Sequence, residues 1–266
     1  TVATRWNSVP AEESHTETWF LQDDILKGNV SVQILTSREG HTRRIDNTWV
    51  AYALGYGAYH ARLNRAGSTV TDSGSTAYST YTDYEYDLSL NIKRERKVGM
   101  TSEELVDTCI VYSNFGKPTD VAVKDSTGAI VSRKWMVYDV TQTGGNRTYN
   151  LLTEEVCKSD TPATGCISRN ATQNAVTGYT YTPEGNVETI TDPLGWVTTF
   201  TYDSTKTYVY RKTNPLGHVT TTEYDPGIGK LKKMVPPHLQ GTAYAFTREY
   251  DQFGRLITED RPDGGR

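Results

Sequence analysis

Apolar and polar residues alternate along much of this 266-residue chain in short runs, and each run ends at residues that favour turns. In Trp196-Val-Thr-Thr-Phe-Thr-Tyr202, Trp196, Phe200 and Tyr202 keep a two-residue period, and Tyr244, Phe246 and Tyr250 keep it again farther on. Alternation of this kind between turn signals predicts half-buried β-strands. The punctuation is as regular as the strands. Asp192-Pro-Leu-Gly195 and Asn214-Pro-Leu-Gly217 put Asp or Asn first, Pro second and Gly fourth, and Arg261-Pro-Asp-Gly264 keeps the Pro and the Gly. Asp and Asn side chains bond nearby backbone amides, Pro presets φ, and Gly accepts a positive φ. The expected order is strand, turn, strand, turn.

A second mark alternates with the first. Tyr181-Thr-Pro-Glu-Gly185, Tyr202-Asp203, Tyr224-Asp225 and Tyr250-Asp251-Gln-Phe-Gly254-Arg255-Leu256 begin at tyrosines 21, 22 and 26 residues apart. Such a period marks a repeat architecture. Weaker copies lie upstream: Tyr86-Asp87 lacks the glycine, Tyr112-Ser-Asn-Phe-Gly116 has Ser in place of Asp, and Tyr138-Asp139 opens a longer unit. The 43 residues from Tyr138 to Tyr181 make about two periods and hold a loop between Cys157 and Cys166, an insertion or a degenerate repeat. Two regions are expected: 1–80, β-rich and preceding the clear repeats, and 81–266, the repeat array with the Cys157–Cys166 loop inserted.

The run Tyr250-Asp251-Gln-Phe-Gly254-Arg255-Leu256, followed by Pro262-Asp-Gly264, resembles the signature of bacterial RHS/YD-repeat proteins. Residues from about 80 to 266 carry the likeness, and Trp19–Gly28 with Asn47-Thr-Trp49 is similar to the strand-rich region that precedes such repeats. The resemblance implies an all-β fold, with antiparallel repeats forming a sheet that spirals into part of a hollow shell. Such shells occur in RHS toxins and in the B and C components of insecticidal toxin complexes, and related repeats occur in adhesive teneurins. At 266 residues the chain is too short to close a shell, so an arc or a short fibre-like array is expected. The resemblance also implies a secreted or cell-surface protein, whose partners are other parts of a longer RHS/YD chain or identical subunits. Beginning at Thr1 and ending Asp-Gly-Gly-Arg, the chain reads as a segment of something longer.

Composition agrees with strands: 40 Thr and 18 Tyr stand against 5 Phe and 3 Met. β-Branched and aromatic side chains suit a pleated surface, whereas a helical bundle would want Leu, Ala and Met. A net charge of −4, with the basic run Lys93–Lys97 already broken by Glu95, argues against a nucleic-acid partner. No stretch of about 18 apolar residues is present to form a transmembrane helix. Cys157 and Cys166 flank a hydrophilic, turn-rich loop, either bridged in an oxidising compartment or left as two free thiols. No histidine lies near them to suggest a metal, and Cys109 reads as a buried strand residue.

Tyrosine beside aspartate suggests acid–base chemistry, but a catalytic group is needed once, and these recur at a structural period. Their expected role is structural, with Asp capping turn amides and Tyr packing between strands. Asp192-Pro-Leu-Gly195 partly matches the self-cleavage motif of RHS proteins, but Trp196 follows it and further repeats lie downstream, so it reads as an ordinary turn. The histidines at 15, 41, 60, 218 and 238 are dispersed, and no nucleophile elbow or phosphate-cradling loop occurs. Gly55-Tyr-Gly-Ala-Tyr59 suggests a loop or bulge. No catalytic, cofactor-binding or metal-binding residue is assigned. The leading reading is a non-enzymatic structural segment; the alternative is a carbohydrate-binding or adhesion module, with a glycosidase a distant third. Tyr78, Tyr81 and Tyr84, with Tyr86 beyond them, are the candidate glycan platform, set against simple cross-strand packing. Asn29, Asn146 and Asn170 begin glycosylation-type triplets, which say little in a bacterial protein.

Overall fold

A computed structural model describes residues 5–7, 15–37, 40–72, 76–101, 104–140, 142–143, 146–157, 166, 169 and 174–262. Among them the chain is all-β and antiparallel, broken by one short 3-10 turn at Pro237–Leu239. It divides into two compact units, Thr1–Trp135 with Cys157–Arg169, and Met136–Val156 with Asn170–Arg266.

In the first unit, ten strands follow one another: β1 (Arg5–Asn7), β2 (His15–Phe20), β3 (Val30–Thr36), β4 (Thr42–Gly55), β5 (Ala58–Thr71), β6 (Ala77–Tyr86), β7 (Ile92–Val98), β8 (Leu105–Tyr112), β9 (Pro118–Lys124) and β10 (Ile130–Tyr138), the last running on into the second unit. Each pairs antiparallel with the next. The boundary expected at residue 80 falls within β6. β4 and β5 are longer than the rest, at 14 residues each, and pair from Thr42↔Thr71 to Gly55↔Ala58 with register shifts at Thr48/Trp49 and Ala53/Gly55. Tyr56 and Gly57, with φ of 52° and 78°, form the two-residue turn between them. Two successive positive φ values give the local twist that matches a hairpin. The loop or bulge expected at Gly55–Tyr59 is therefore a hairpin tip. β3 pairs with β4 only over Thr42–Asp46, and β6 with β5 only over Arg65–Thr71, so among the described residues the far half of this hairpin has no ladder partner beyond its own two strands.

The second unit holds β11 (Gln142–Thr143) paired with β12 (Asn146–Arg147), then a meander of β13 (Leu151–Val156), β14 (Ala175–Tyr181), β15 (Val187–Thr191), β16 (Val197–Tyr202), β17 (Val209–Thr213), β18 (Val219–Asp225), β19 (Lys230–Val235), β20 (Phe246–Tyr250) and β21 (Leu256–Asp260). Turn chemistry sets the strand ends. Trp196 closes the Asp192 turn, so β16 starts one residue later than its alternation suggests.

Few of the described side chains are buried: Ala122, Trp135 and Cys166 among the apolar ones, Asp107, Glu155 and Asn174 among the polar, with Glu155 and Cys166 the deepest. Each buried carboxylate has a partner, as burial demands. Arg94 on β7 meets Asp107 at 2.6 and 2.8 Å, and Asn174 Nδ2 donates to Glu155 Oε1 at 2.7 Å. Cys109, expected to be buried, is only half-buried. The Arg94–Asp107 pair lies beside it, and Asp107 is the deeper residue on β8.

Candidate functional site

The recurring Tyr and Asp positions form a repeated backbone-capping device. At the Asp251 turn, Gly254 N donates to Asp251 O and Asp251 N donates to Arg255 O, both at 2.9 Å. The Asp251 carboxylate accepts from the amides of Phe253 and Arg255, again at 2.9 Å each, and Arg255 Nε returns a 2.6 Å bond to it. Asp87 takes the amides of Ser89 and Asn91, and Asp192 and Asn214 do the same in the Pro-Leu-Gly turns. The fourth residue has positive φ, 77° at Gly116, 89° at Gly185 and 76° at Gly254, except in the Asp225 turn, where it is the fifth, Gly229, at 66°. Where glycine is missing, Leu90 at 63° and Lys206 at 59° adopt the same conformation. In Tyr112–Gly116, Ser113 Oγ takes the place of the carboxylate, receiving Lys117 N at 3.1 Å.

The tyrosine stands at the end of the strand before such a turn, at a β-bulge, with β18 alone running one residue farther, to Asp225. Glu85 pairs with Arg94 but Tyr86 pairs with Ile92, so Lys93 is extra on β7. The same shift occurs at Tyr112, Tyr181, Tyr202, Tyr224 and Tyr250. A bulge disrupts the ladder locally and leaves a backbone group in need of a partner. The next repeat supplies it. Ile92, opposite Tyr86, has its carbonyl capped by the Tyr112 hydroxyl at 2.9 Å. Val187, opposite Tyr181, is capped by Tyr202 at 2.8 Å, and Leu231, opposite Tyr224, by Tyr250 at 2.9 Å. Tyr181 caps Leu151 at 2.8 Å and Tyr86 caps Leu63 at 2.7 Å. Each capping tyrosine stands three residues beyond the last rung with the preceding strand, as in Thr199 to Tyr202 and Thr247 to Tyr250. The hydroxyl thus laces the splayed end of the ladder.

One repeat varies the device. Val209, opposite Tyr202, is capped by Thr222 Oγ1, while Tyr224 stacks on Tyr208 with centroids 4.9 Å apart and planes 15° from parallel. Sequence reasoning missed another member, Trp49. Standing three residues past the Val32↔Asp46 rung, it donates its Nε1 to Val30 O at 2.9 Å, and Leu63, opposite Trp49, is the carbonyl that Tyr86 caps. The available signal was Asn47-Thr-Trp49: Asn47 Nδ2 donates to the same Val30 carbonyl at 3.1 Å. The Asp125 turn, with Gly128 fourth, also escaped the search.

Electrostatics follow the geometry. Burial pushes the Tyr86, Tyr112, Tyr138, Tyr181 and Tyr202 hydroxyls above their ordinary 10.0. Bonding to the Arg255 amide chiefly holds Asp251 below its ordinary value, and the Thr205 hydroxyl does so for Asp203. Asp225 takes the Gly227 amide at 2.8 Å. Asp139 accepts Thr148 Oγ1 at 3.1 Å, while its amide bonds Asn150 O at 2.7 Å.

Cys157 and Cys166 are disulfide-bonded. The Cys157 amide bonds Arg133 O at 3.0 Å and Arg133 Nη1 bonds Cys166 O at 3.2 Å, so β10 holds both ends of the bridge. The tyrosines proposed as a glycan platform are not brought together. β6 is regular from Ala77 to Asp83, which puts Tyr78 and Tyr84 on one face and Tyr81 on the other. Arg65 lies 4.3 Å above the Tyr81 ring and covers that side of it. The Asn170 triplet and Gly264 lie outside the described residues. Among the described residues no three His, Cys, Asp or Glu side chains group as a metal site, and no helix is long and apolar enough to cross a membrane.

This repeated frame of bulge, cap and turn is matched by a family description. The RHS Repeat family matches residues 181–206, from the Tyr181 cap into the Asp203 turn. The match covers one repeat, and the same bulge, cap and turn recur on either side of it, at Tyr112 and at Tyr250. Comparison with curated protein sequences gives no match. Among solved structures, a crystal structure of TcdB2-TccC3-TEV is similar at 14% identity and a TM-score of 0.31, covering 97% of this chain and 17% of that one. A Tc holotoxin pore from Photorhabdus luminescens gives 13% and 0.27, with 97% and 17% covered, and the crystal structure of TcdB2-TccC3 gives 13% and 0.28, with 94% and 18% covered. The chain spans less than a fifth of each of these.

Proposed function

We propose that this chain is a non-catalytic length of wall in a secreted or cell-surface RHS/YD protein, part of a protective shell or an extracellular fibre. The observation that carries the reading is the succession of caps: Tyr86 to Leu63, Tyr112 to Ile92, Tyr181 to Leu151, Tyr202 to Val187 and Tyr250 to Leu231. These hydroxyls are committed to backbone, and the turn carboxylates to amides. Groups spent in this way, once per repeat, favour a scaffold over a reaction centre. Other parts of a longer RHS/YD chain are the natural partners, because each repeat is completed by its neighbour.

Electron microscopy and timed protease digestion of the protein that contains this chain test the reading. A hollow or filamentous particle is expected, resistant to protease until Tyr86, Tyr112, Tyr181 and Tyr202 are all changed to Phe. Hydrolysis of a glycan by the purified chain, abolished by Asp203→Asn, would overturn it.

A further inference from the structure

The caps keep one register. The donor stands three residues beyond the last rung on the later strand, and its acceptor lies two residues before that rung on the earlier strand. Trp49 and Val30 are placed so about Asp46↔Val32, Tyr86 and Leu63 about Asp83↔Arg65, and Tyr202 and Val187 about Thr199↔Thr189. Tyr112, Tyr181 and Tyr250 repeat the offsets on Ile92, Leu151 and Leu231. All six acceptor residues are branched aliphatics, and all six are half-buried.

The bulge opposite Tyr250 lacks this cover. Leu256 holds the acceptor's place there, with Ile257 extra as Lys93 is on β7. Among the described residues no side chain caps the Leu256 carbonyl, and β21 pairs with β20 alone. Leu256 is 54% exposed where its six counterparts are half-buried. A sheet edge offers backbone donors and acceptors to an added strand, and the six covered edges show which kind of strand this sheet accepts. We propose that the outer edge of β21 is a strand-addition site for a partner strand that sets one residue opposite Thr258 and a tyrosine three residues later, whose hydroxyl donates to the Leu256 carbonyl. Main-chain bonds along the edge supply the affinity and the tyrosine selects the register. The partner is the opening strand of a further Tyr-Asp repeat in the wall proposed above, and the inference rests on that reading. A second copy does not fit through its own edge strands. β21 contains no Tyr or Trp, and β1, three residues long, is too short to hold both a rung and a donor three residues beyond it.

A peptide of residues 196–203 is the probe, since β16 already uses Thr199 as the rung and Tyr202 as the donor. Leu256-Ile257 is the one Leu-Ile pair in the chain, so isotopic labels on leucine carbonyls and isoleucine amides isolate the Leu256 carbonyl in magnetic resonance spectra of the full chain. That signal should move as peptide is added. A peptide with Tyr202→Phe should bind about 2- to 10-fold more weakly, as loss of one hydrogen bond implies. A peptide with residues 201 and 202 exchanged, which puts tyrosine two residues past the rung, should bind no better than the Phe peptide. An unmoved Leu256 signal at the highest peptide concentration overturns the proposal. So does equal binding of the three peptides, or self-association of the chain that excludes the peptide. These outcomes leave the wall reading to electron microscopy: a hollow particle without peptide binding removes this edge alone, and peptide binding without a particle removes the wall alone.

Discussion

Val187 lends its carbonyl to the Tyr202 hydroxyl because the bulge opposite Tyr181 has taken it out of the regular ladder. A half-buried carbonyl without a partner is costly, so removing the hydroxyl should be felt. Tyr202→Phe is expected to destabilise by about 0.5–1.5 kcal/mol, the usual range for a lost hydrogen bond. Tyr224→Phe should be nearly silent, since that ring works by stacking on Tyr208 while Thr222 caps Val209. Urea titrations of the two variants make the comparison, and equal losses would show that the cap adds nothing to the ring. Gly254 offers a second contrast. Its φ is 76°, and the nearest atom to an added Cβ is Lys230 Cε at 3.8 Å, so the penalty for a side chain is backbone strain and not collision. Gly254→Val should cost about 1–2 kcal/mol, more than Asp251→Ala, and melting temperatures will rank them.

An element here is a strand plus the turn that aims the next one, and its stability depends on the charge state of both ends. Bonding to the turn amides and hydroxyls lowers Asp251, Asp203 and Asp125, so the folded state releases their protons more readily than the unfolded chain. That contribution is full above the ordinary value of 3.8 and disappears as pH falls through the lower folded values. Tyrosines raised by burial act in the opposite sense: their contribution is full below the ordinary 10.0 and lost as pH rises through the folded values. Urea midpoints should therefore fall on both flanks, with Asp251→Asn, Asp203→Asn and Asp125→Asn flattening the acid side and Tyr→Phe the alkaline side. The strand order and most turns are legible in the sequence because period-two alternation and Asp-x-x-Gly are local signals. The Leu90 and Lys206 turns keep the Asp but not the glycine, and Trp49 performs a tyrosine's task with an indole nitrogen. A residue-identity search keeps the first two through their Tyr-Asp pairs and passes over the third, because the geometry there specifies a donor and not a side chain. The tyrosine acceptors were illegible for a different reason, since they are backbone carbonyls exposed by register shifts in the pairing.

In the molecule as a whole, stability comes from many half-buried rungs, because few of the described side chains are buried. A repeat that contacts only its neighbours can be removed whole. Deleting Asp203–Tyr224 joins Tyr202 to Asp225 and lets Leu231 face Tyr202 in place of Tyr224. The shortened protein should keep its β circular dichroism and a single unfolding transition. Deleting Asp203–Thr213 alone reverses the direction of every later strand and should abolish cooperative unfolding. Thiol titration in denaturant should find one reactive cysteine before reduction, Cys109, and three after.

The caps also give the array a direction. Each bulge carbonyl waits for a side chain that lies later in the chain: Leu63 for Tyr86, Ile92 for Tyr112, Val187 for Tyr202. During synthesis the emerging protein therefore trails one unfinished repeat behind the ribosome, completed only when the next tyrosine arrives. Peeling strands from the C-terminal side would undo caps in the reverse of the order in which they formed, and peeling from the N-terminal side would undo them in that same order, one repeat at a time either way.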